Sequence, residues 1–127
     1  MNNNPLALII EDDPDAAAIF SAALEAADFQ IEIVATGDRA LERLTVTEPM
    51  IVLLDMHLPH VAGPDILRYV RSDARLNRTQ VIIATADPSM ADALQEEATL
   101  VLLKPISFSQ LRDLAKRLRQ HASTSTD

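Results

Sequence analysis

The chain has 127 residues, 48% of them hydrophobic, no cysteine, and 11 Lys and Arg against 19 Asp and Glu, a formal net charge of −8. That is one domain's worth of chain, apolar enough to bury a core, and too acidic for a module that grips nucleic acid through a basic face. The missing cysteines exclude disulfides, thiolate metal sites and a Cys nucleophile; no run of about 18 apolar residues offers a membrane span, and the start MNNNPLALIIEDD lacks the basic region of a signal peptide.

Residues 6–10 (LALII) are a short, wholly apolar run, the mark of a strand covered on both faces as in a parallel sheet. Glu11, Asp12, Asp13, Pro14 and Asp15 follow at once. Asp13 and Pro14 read as the N-cap and first residue of a helix, with Asp15 at its positive end. Ala16, Ile19, Phe20, Ala23, Leu24 and Ala27 continue at helical spacing. Residues 31–35 predict a second strand and 38–44 a short second helix. Residues 50–54 (MIVLL) predict a third strand ending on Asp55, and 64–72 a helix with Pro64 in its first turn. Residues 81–84 predict a fourth strand ending on Thr85, and 87–97 a helix with Pro88 near its start. Residues 100–103 predict a fifth strand ending on Lys104, and 107–120 a last helix capped by Ser107 or Ser109, with Leu111, Leu114, Ala115 and Leu118 on one face. The ending HASTSTD is small and polar.

Five strands alternating with five helices imply an α/β fold: a parallel sheet with helices on both faces and right-handed crossovers. In such sheets ligands bind outside the carboxyl ends of the strands. Four of the five strands deliver a polar group there: Glu11, Asp12 and Asp13, then Asp55, Thr85 and Lys104. Taken singly these read more plainly as solvated turn residues, a cap or a strand terminus. Taken together, neighbouring carboxylates raise one another's pKa unless a cation bridges them, and an oxygen-only donor set favours Mg2+ over Zn2+. A lysine and a hydroxyl opposite would take phosphoryl oxygens, so the set points to phosphoryl transfer. With two glycines, Gly37 and Gly63, the chain has no phosphate-cradling loop, and it has no nucleophile elbow. A carboxylate is then the acceptor to expect.

The blocks LIIEDDP (8–14), LLDMHLPHVAG (53–63), IIATA (82–86) and LLKPI (102–106) together resemble the receiver domain of two-component response regulators. The resemblance implies a flavodoxin-like (βα)5 fold with a doubly wound parallel sheet in the order 2-1-3-4-5, spanning residues 1–122, with 123–127 a flexible tail. It implies that Asp55 takes a phosphoryl group from a phosphohistidine on a sensor histidine kinase or a histidine phosphotransfer protein. Asp12 would bind Mg2+ directly and Glu11 through water or by orienting it, with Asp55 and the backbone carbonyl of His57 completing the site. Lys104 would pair with phosphoryl oxygens, Thr85 would report the phosphorylated state, and the Lys104–Pro105 bond would be cis. Such a domain catalyses only its own phosphorylation and dephosphorylation, sits in the cytoplasm, binds neither nucleic acid nor membrane, and switches an unidentified effector protein. A homodimer through the face of helix 4, strand 5 and helix 5 is a further expectation.

Two departures stand out. From Thr85 to Lys104 the chain advances 19 positions, roughly three fewer than the family usually shows, or about one helical turn. The aromatic switch position three before the lysine is Val101. Both fall on the output face, so the expectation is an intact phosphorylation site with a non-standard output. The competing reading is a receiver-like adaptor or dimerisation module with vestigial phosphorylation. A hydrolase with an aspartyl-phosphate intermediate would want a carboxylate two past the nucleophile, where this chain has His57. His57 reads as an exposed loop residue at the mouth of the site, His60 and His121 as surface, Tyr69 as an amphipathic contact. Arg112, Lys116, Arg117 and Arg119 read as the solvated face of the last helix.

Overall fold

The computed structural model describes residues 3–58 and 60–124. Among these the elements run β1 (Leu6–Ile10), α1 (Pro14–Ala26), β2 (Gln30–Val34), α2 (Gly37–Leu44), β3 (Ile51–Asp55), α3 (Gly63–Ser72), β4 (Gln80–Thr85), α4 (Pro88–Leu94), β5 (Leu100–Leu103) and α5 (Phe108–Thr124). A single 3-10 turn at Ala74–Leu76 lies between α3 and β4. The strands are all parallel and stand in the order β2-β1-β3-β4-β5, the flavodoxin-like order the resemblance implied.

The apolar runs form strands because both of their faces are covered. Ala7 and Ile9 join Leu53, Ile82 and Ala84 beneath Phe20, Ala23 and Leu24 of α1 and Leu111 and Ala115 of α5. Leu8 and Ile10 point the other way, with Val52, Leu54 and Ile83, onto Ala40 and Leu44 of α2 and Ile66, Leu67 and Val70 of α3. The two-residue period of a strand thus splits one apolar run between two cores. Burying each of these large aliphatic side chains contributes about 1.5–3 kcal/mol relative to exposure.

The caps agree with the residue types. Asp13 accepts from Asp15 N at 3.2 Å at the start of α1, and Ser107 accepts from Gln110 N at 3.1 Å at the start of α5. Helix α4 stops at Leu94, three residues before the expected Glu97, because the sheet claims the chain. Thr99 N donates to Val81 O at 2.9 Å and Thr99 Oγ1 accepts from Val81 N at 3.0 Å, so the intervening residues must turn back to β4. The 3-10 turn was not expected; the Asp73 side chain starts it by accepting from Arg75 N at 3.0 Å. Helix α5 runs past residue 120 to Thr124. Of the tail expected from 123, residues 123 and 124 are therefore helical and 125–127 lie outside the described residues.

Candidate functional site

Glu11 follows β1, Asp55 closes β3, Thr85 closes β4 and Lys104 follows β5. These four strands are consecutive neighbours in the sheet, so residues far apart in the chain end on one edge. The crossovers from β1 and β3 depart to opposite faces, which leaves a crevice between them. Backbone bonds carry the ladder past the strand ends and set where the side chains start. Glu11 N donates to Val34 O at 3.0 Å, Met56 N to Ala84 O at 3.3 Å, and Lys104 N to Thr85 O at 2.8 Å. The Lys104–Pro105 bond is cis.

One carboxylate oxygen each from Glu11, Asp12 and Asp55 lies within 4.8 Å of the others; Glu11 and Asp55 are buried and Asp12 is exposed. Lys104 Nζ donates to Glu11 Oε1 at 3.0 Å and to Asp55 Oδ1 at 3.4 Å. The other Glu11 oxygen, Oε2, accepts from Asp13 N at 3.2 Å, and Asp55 Oδ1 also accepts from His57 N at 3.2 Å. Thr85, fully buried, accepts from Asp87 N through Oγ1 at 3.1 Å, and Asp87 caps α4 by accepting from Ser89 N at 2.9 Å.

Three clustered carboxylates therefore share this edge with one ammonium, which contacts two of them. Burial pushes the Glu11 pKa up; the Lys104 and Asp13 hydrogen bonds oppose this and the Asp55 charge adds to it. Burial also works against the charge on Lys104, but its bond to Glu11 and the charge of Asp55 outweigh it, and the Lys104 pKa is raised. The surplus of two negative charges suits one divalent cation. All three donors are hard oxygens, the ligand type Mg2+ prefers.

The structure brings Glu11, Asp12, Asp55 and Lys104 together, with Thr85 one strand over from Asp55. Val101 lies elsewhere: it pairs with Ile83 in the sheet and packs, half-buried, on the α2–α3 side with Met90, Leu94 and Ala98. The His57 side chain is exposed, and it is the backbone of His57 that touches Asp55. Asp13 is the α1 cap, as expected, and its N–H also holds Glu11. Tyr69 packs against the same core as Val101 and its hydroxyl donates to Asp73 Oδ2 at 3.2 Å. Sequence reasoning missed the tie between Thr85 and Asp87; the signal was a Thr two before an Asp-Pro helix start, a short side-chain-to-backbone turn. A concavity of about 590 Å3 opens at the opposite edge of the sheet, among Leu6, Met50, Arg75 and Gln80. Arg75 is committed there to the Leu44 and Thr47 carbonyls.

Among the described residues no helix is long and apolar enough to cross a membrane. The sequence profile of the response regulator receiver domain matches residues 7–116. The chain is 32% identical over 107 residues to the regulatory protein LuxO of Vibrio cholerae, covering 82% of this chain and 23% of that one. It spans 81% of one other curated relative and about half of two more. The receiver domain of a signal transduction histidine kinase from Syntrophus aciditrophicus superposes with a TM-score of 0.83 at 28% identity, over 97% of this chain and 95% of that one. A sensor histidine kinase receiver domain from Pseudomonas aeruginosa, with magnesium coordinated in its active-site cleft, superposes with a TM-score of 0.80 at 24% identity, over 91% of this chain and 97% of that one.

Proposed function

The chain belongs to the response regulator receiver domain family of two-component signalling, and from that premise we propose that Asp55 is its phosphoryl acceptor. The observation that carries this is the cluster of three carboxylates at the sheet edge, two of them held by a single ammonium. An Asp55 carboxylate oxygen attacks the phosphorus of a phosphohistidine; the phosphorus–nitrogen bond breaks, the imidazole nitrogen keeps the electron pair and takes a proton from solvent, and an acyl phosphate remains on Asp55. Asp12 and Asp55 directly, Glu11 through water or by orienting it, and the His57 carbonyl would hold Mg2+. When bound, the ion neutralises the crowded carboxylates and withdraws charge from the phosphoryl oxygens.

The chain's own residues do the rest. His57 N–H orients the Asp55 carboxylate. Lys104 already reaches Asp55 and moves from carboxylate to phosphoryl oxygen once the group arrives. Thr85 turns its hydroxyl from the Asp87 N–H towards that group and so transmits the event to the start of α4. The donor is a sensor histidine kinase or histidine phosphotransfer protein in the cytoplasm. Leu103 and Phe108, both exposed and close to Lys104 in the chain, offer it an apolar footing.

The output is a separate matter. With Val101 half-buried on the same core as Met90, Leu94 and Ala98, no aromatic ring is available to rotate at that position. The signal then passes by displacement of the short α4, to an effector protein or to a second copy through α4, β5 and α5.

The test is labelling by a small phosphodonor with Mg2+, read as the mass of one added phosphoryl group that hydroxylamine removes. Asp55→Asn is expected to abolish it. Label that persists in that variant overturns the assignment.

A further inference from the structure

Helix α4 has seven residues, about two turns, and its two ends are fastened by different means. At the amino end, Thr85 Oγ1 accepts from Asp87 N at 3.1 Å, and Asp87, Pro88 and Ser89 are exposed. That fastening belongs to the site, because Thr85 follows Ala84, the register partner of Asp55. The helix meets the core from its third residue on, where Met90 is half-buried and Ala91 is buried.

The carboxyl end is fastened away from the site. Arg71, in the last turn of α3, donates from Nε to the Glu97 carbonyl at 3.0 Å and from Nη1 to the Thr79 carbonyl at 3.2 Å. Thr79 is itself a fixed point: it is buried, and its Oγ1 donates to the Pro49 carbonyl at 2.8 Å. One planar guanidinium therefore ties the turn after α4 to the start of β4. Two residues on, Thr99 and Val81 are joined twice, Thr99 N–H to the Val81 carbonyl at 2.9 Å and Val81 N–H to Thr99 Oγ1 at 3.0 Å. The turn also closes on its own helix, with Glu97 N and Ala98 N donating to the Leu94 carbonyl at 3.1 and 3.2 Å.

We infer that Arg71 is the anchor of a hinge at Glu97–Thr99: α4 answers the site by swinging its amino end, while its carboxyl end stays fixed to α3 and β4. Release of Asp87 by Thr85 frees one end and leaves the Arg71 and Thr99 bonds, beyond the far end of the helix, in place. A helix this short moves as one lever about 10 Å long, with its largest travel at Pro88–Met90. This rests on the receiver reading for what releases the amino end, and on the contacts of Arg71 and Thr99 for what holds the other.

The test uses the full chain and two readouts: amide resonances before and after beryllofluoride with Mg2+, and amide hydrogen exchange without either. In wild type, beryllofluoride is expected to move the Asp87–Ala91 amides and to leave Glu97–Thr99 in place. Arg71→Ala cuts both carbonyl bonds. It is expected to let the Glu97–Thr99 amides move as well, and to speed exchange of the Thr99 amide on the order of fivefold in the untreated protein. Thr99→Val removes the other fastening and is expected to act in the same direction, most strongly at the Val81 amide; Thr99→Ser keeps the hydroxyl and is expected to stay at wild-type values. Arg68→Ala is the control, since the Arg68 guanidinium bonds Asp65 within α3, and it is expected to leave α4 as in wild type. Wild-type Glu97–Thr99 amides that move as far as Asp87–Ala91 overturn the inference. So does Arg71→Ala with the wild-type pattern, or Arg68→Ala matching it in effect. A wild-type chain that takes no beryllofluoride sinks the receiver reading instead, and Thr99 exchange in Arg71→Ala still decides the anchor.

Discussion

Lys104 and Glu11 are 93 positions apart in the chain, and their side chains meet at 3.0 Å. The Glu11 side chain is 2% exposed and that of Lys104 is 26% exposed, so the pair is a buried carboxylate held by an ammonium that still touches water. The same ammonium reaches Asp55. It is the resident cation of an edge that is otherwise acidic.

Removing that cation strands Glu11 and Asp55. Lys104→Met is expected to cost about 1–3 kcal/mol without metal, below the ~3–5 kcal/mol of a fully buried pair, because solvent reaches the ammonium. Mg2+ is expected to recover part of the loss and so to raise the melting temperature more in the variant than in the wild type. Unfolding with and without Mg2+ measures both; a variant as stable as wild type in chelator counts against the counter-ion role.

The pH dependence follows from burial of Glu11. Its pKa lies above the ordinary 4.5, so in the window just above 4.5 the folded chain keeps a proton the unfolded chain has released. Stability then falls as pH rises through that window. In chelator, wild type is expected to lose stability relative to Glu11→Gln across this range, read as the difference in urea midpoints; a flat difference refutes it. Lys104 contributes at the alkaline end. Its stabilisation is present below 10.5 and is lost as pH rises through its higher folded value.

Asp12 is exposed and belongs to the same carboxylate cluster. Asp12→Asn is expected to weaken Mg2+ binding and slow labelling while leaving the urea midpoint in chelator near the wild-type value, as surface substitutions generally do. Calorimetric titration and unfolding together check the split. An equal loss of stability and affinity would make Asp12 structural.

Thr85 is fully buried, with Oγ1 accepting from Asp87 N at 3.1 Å. Thr85→Val keeps the shape and removes that acceptor, at an expected cost of about 1 kcal/mol. The variant is expected to take label at Asp55 while the α4 amides respond less to beryllofluoride. Full α4 shifts in the variant would remove Thr85 from the signal path.

Much of the fold was legible because the strands are buried on both faces. LALII and IVLLD leave no polar residue inside a strand, and the polar groups fall at the ends, so the boundary between β1 and Glu11 is sharp in the sequence itself. The end of α4 was not legible. Gln95, Glu96 and Glu97 are good helix formers, and only the pairing of Thr99 with Val81 takes the chain out of the helix. The glycines were read as the absence of a phosphate loop; that Gly37 makes room for Val61 and Gly63 for Met56 depends on neighbours no local pattern contains.

By itself the sequence determined which residues could carry the chemistry, since their types and their places after apolar runs follow from local polarity. It also determined the covering of both sheet faces, because strand side chains alternate and both sets are apolar. Only the tertiary structure decided which of those residues meet. Contact at the edge depends on the order of strands in the sheet, where β1, β3, β4 and β5 are consecutive, and not on distance along the chain. That order sets Lys104 against Glu11 and Asp55 and leaves Val101 on the other side of β5 from them.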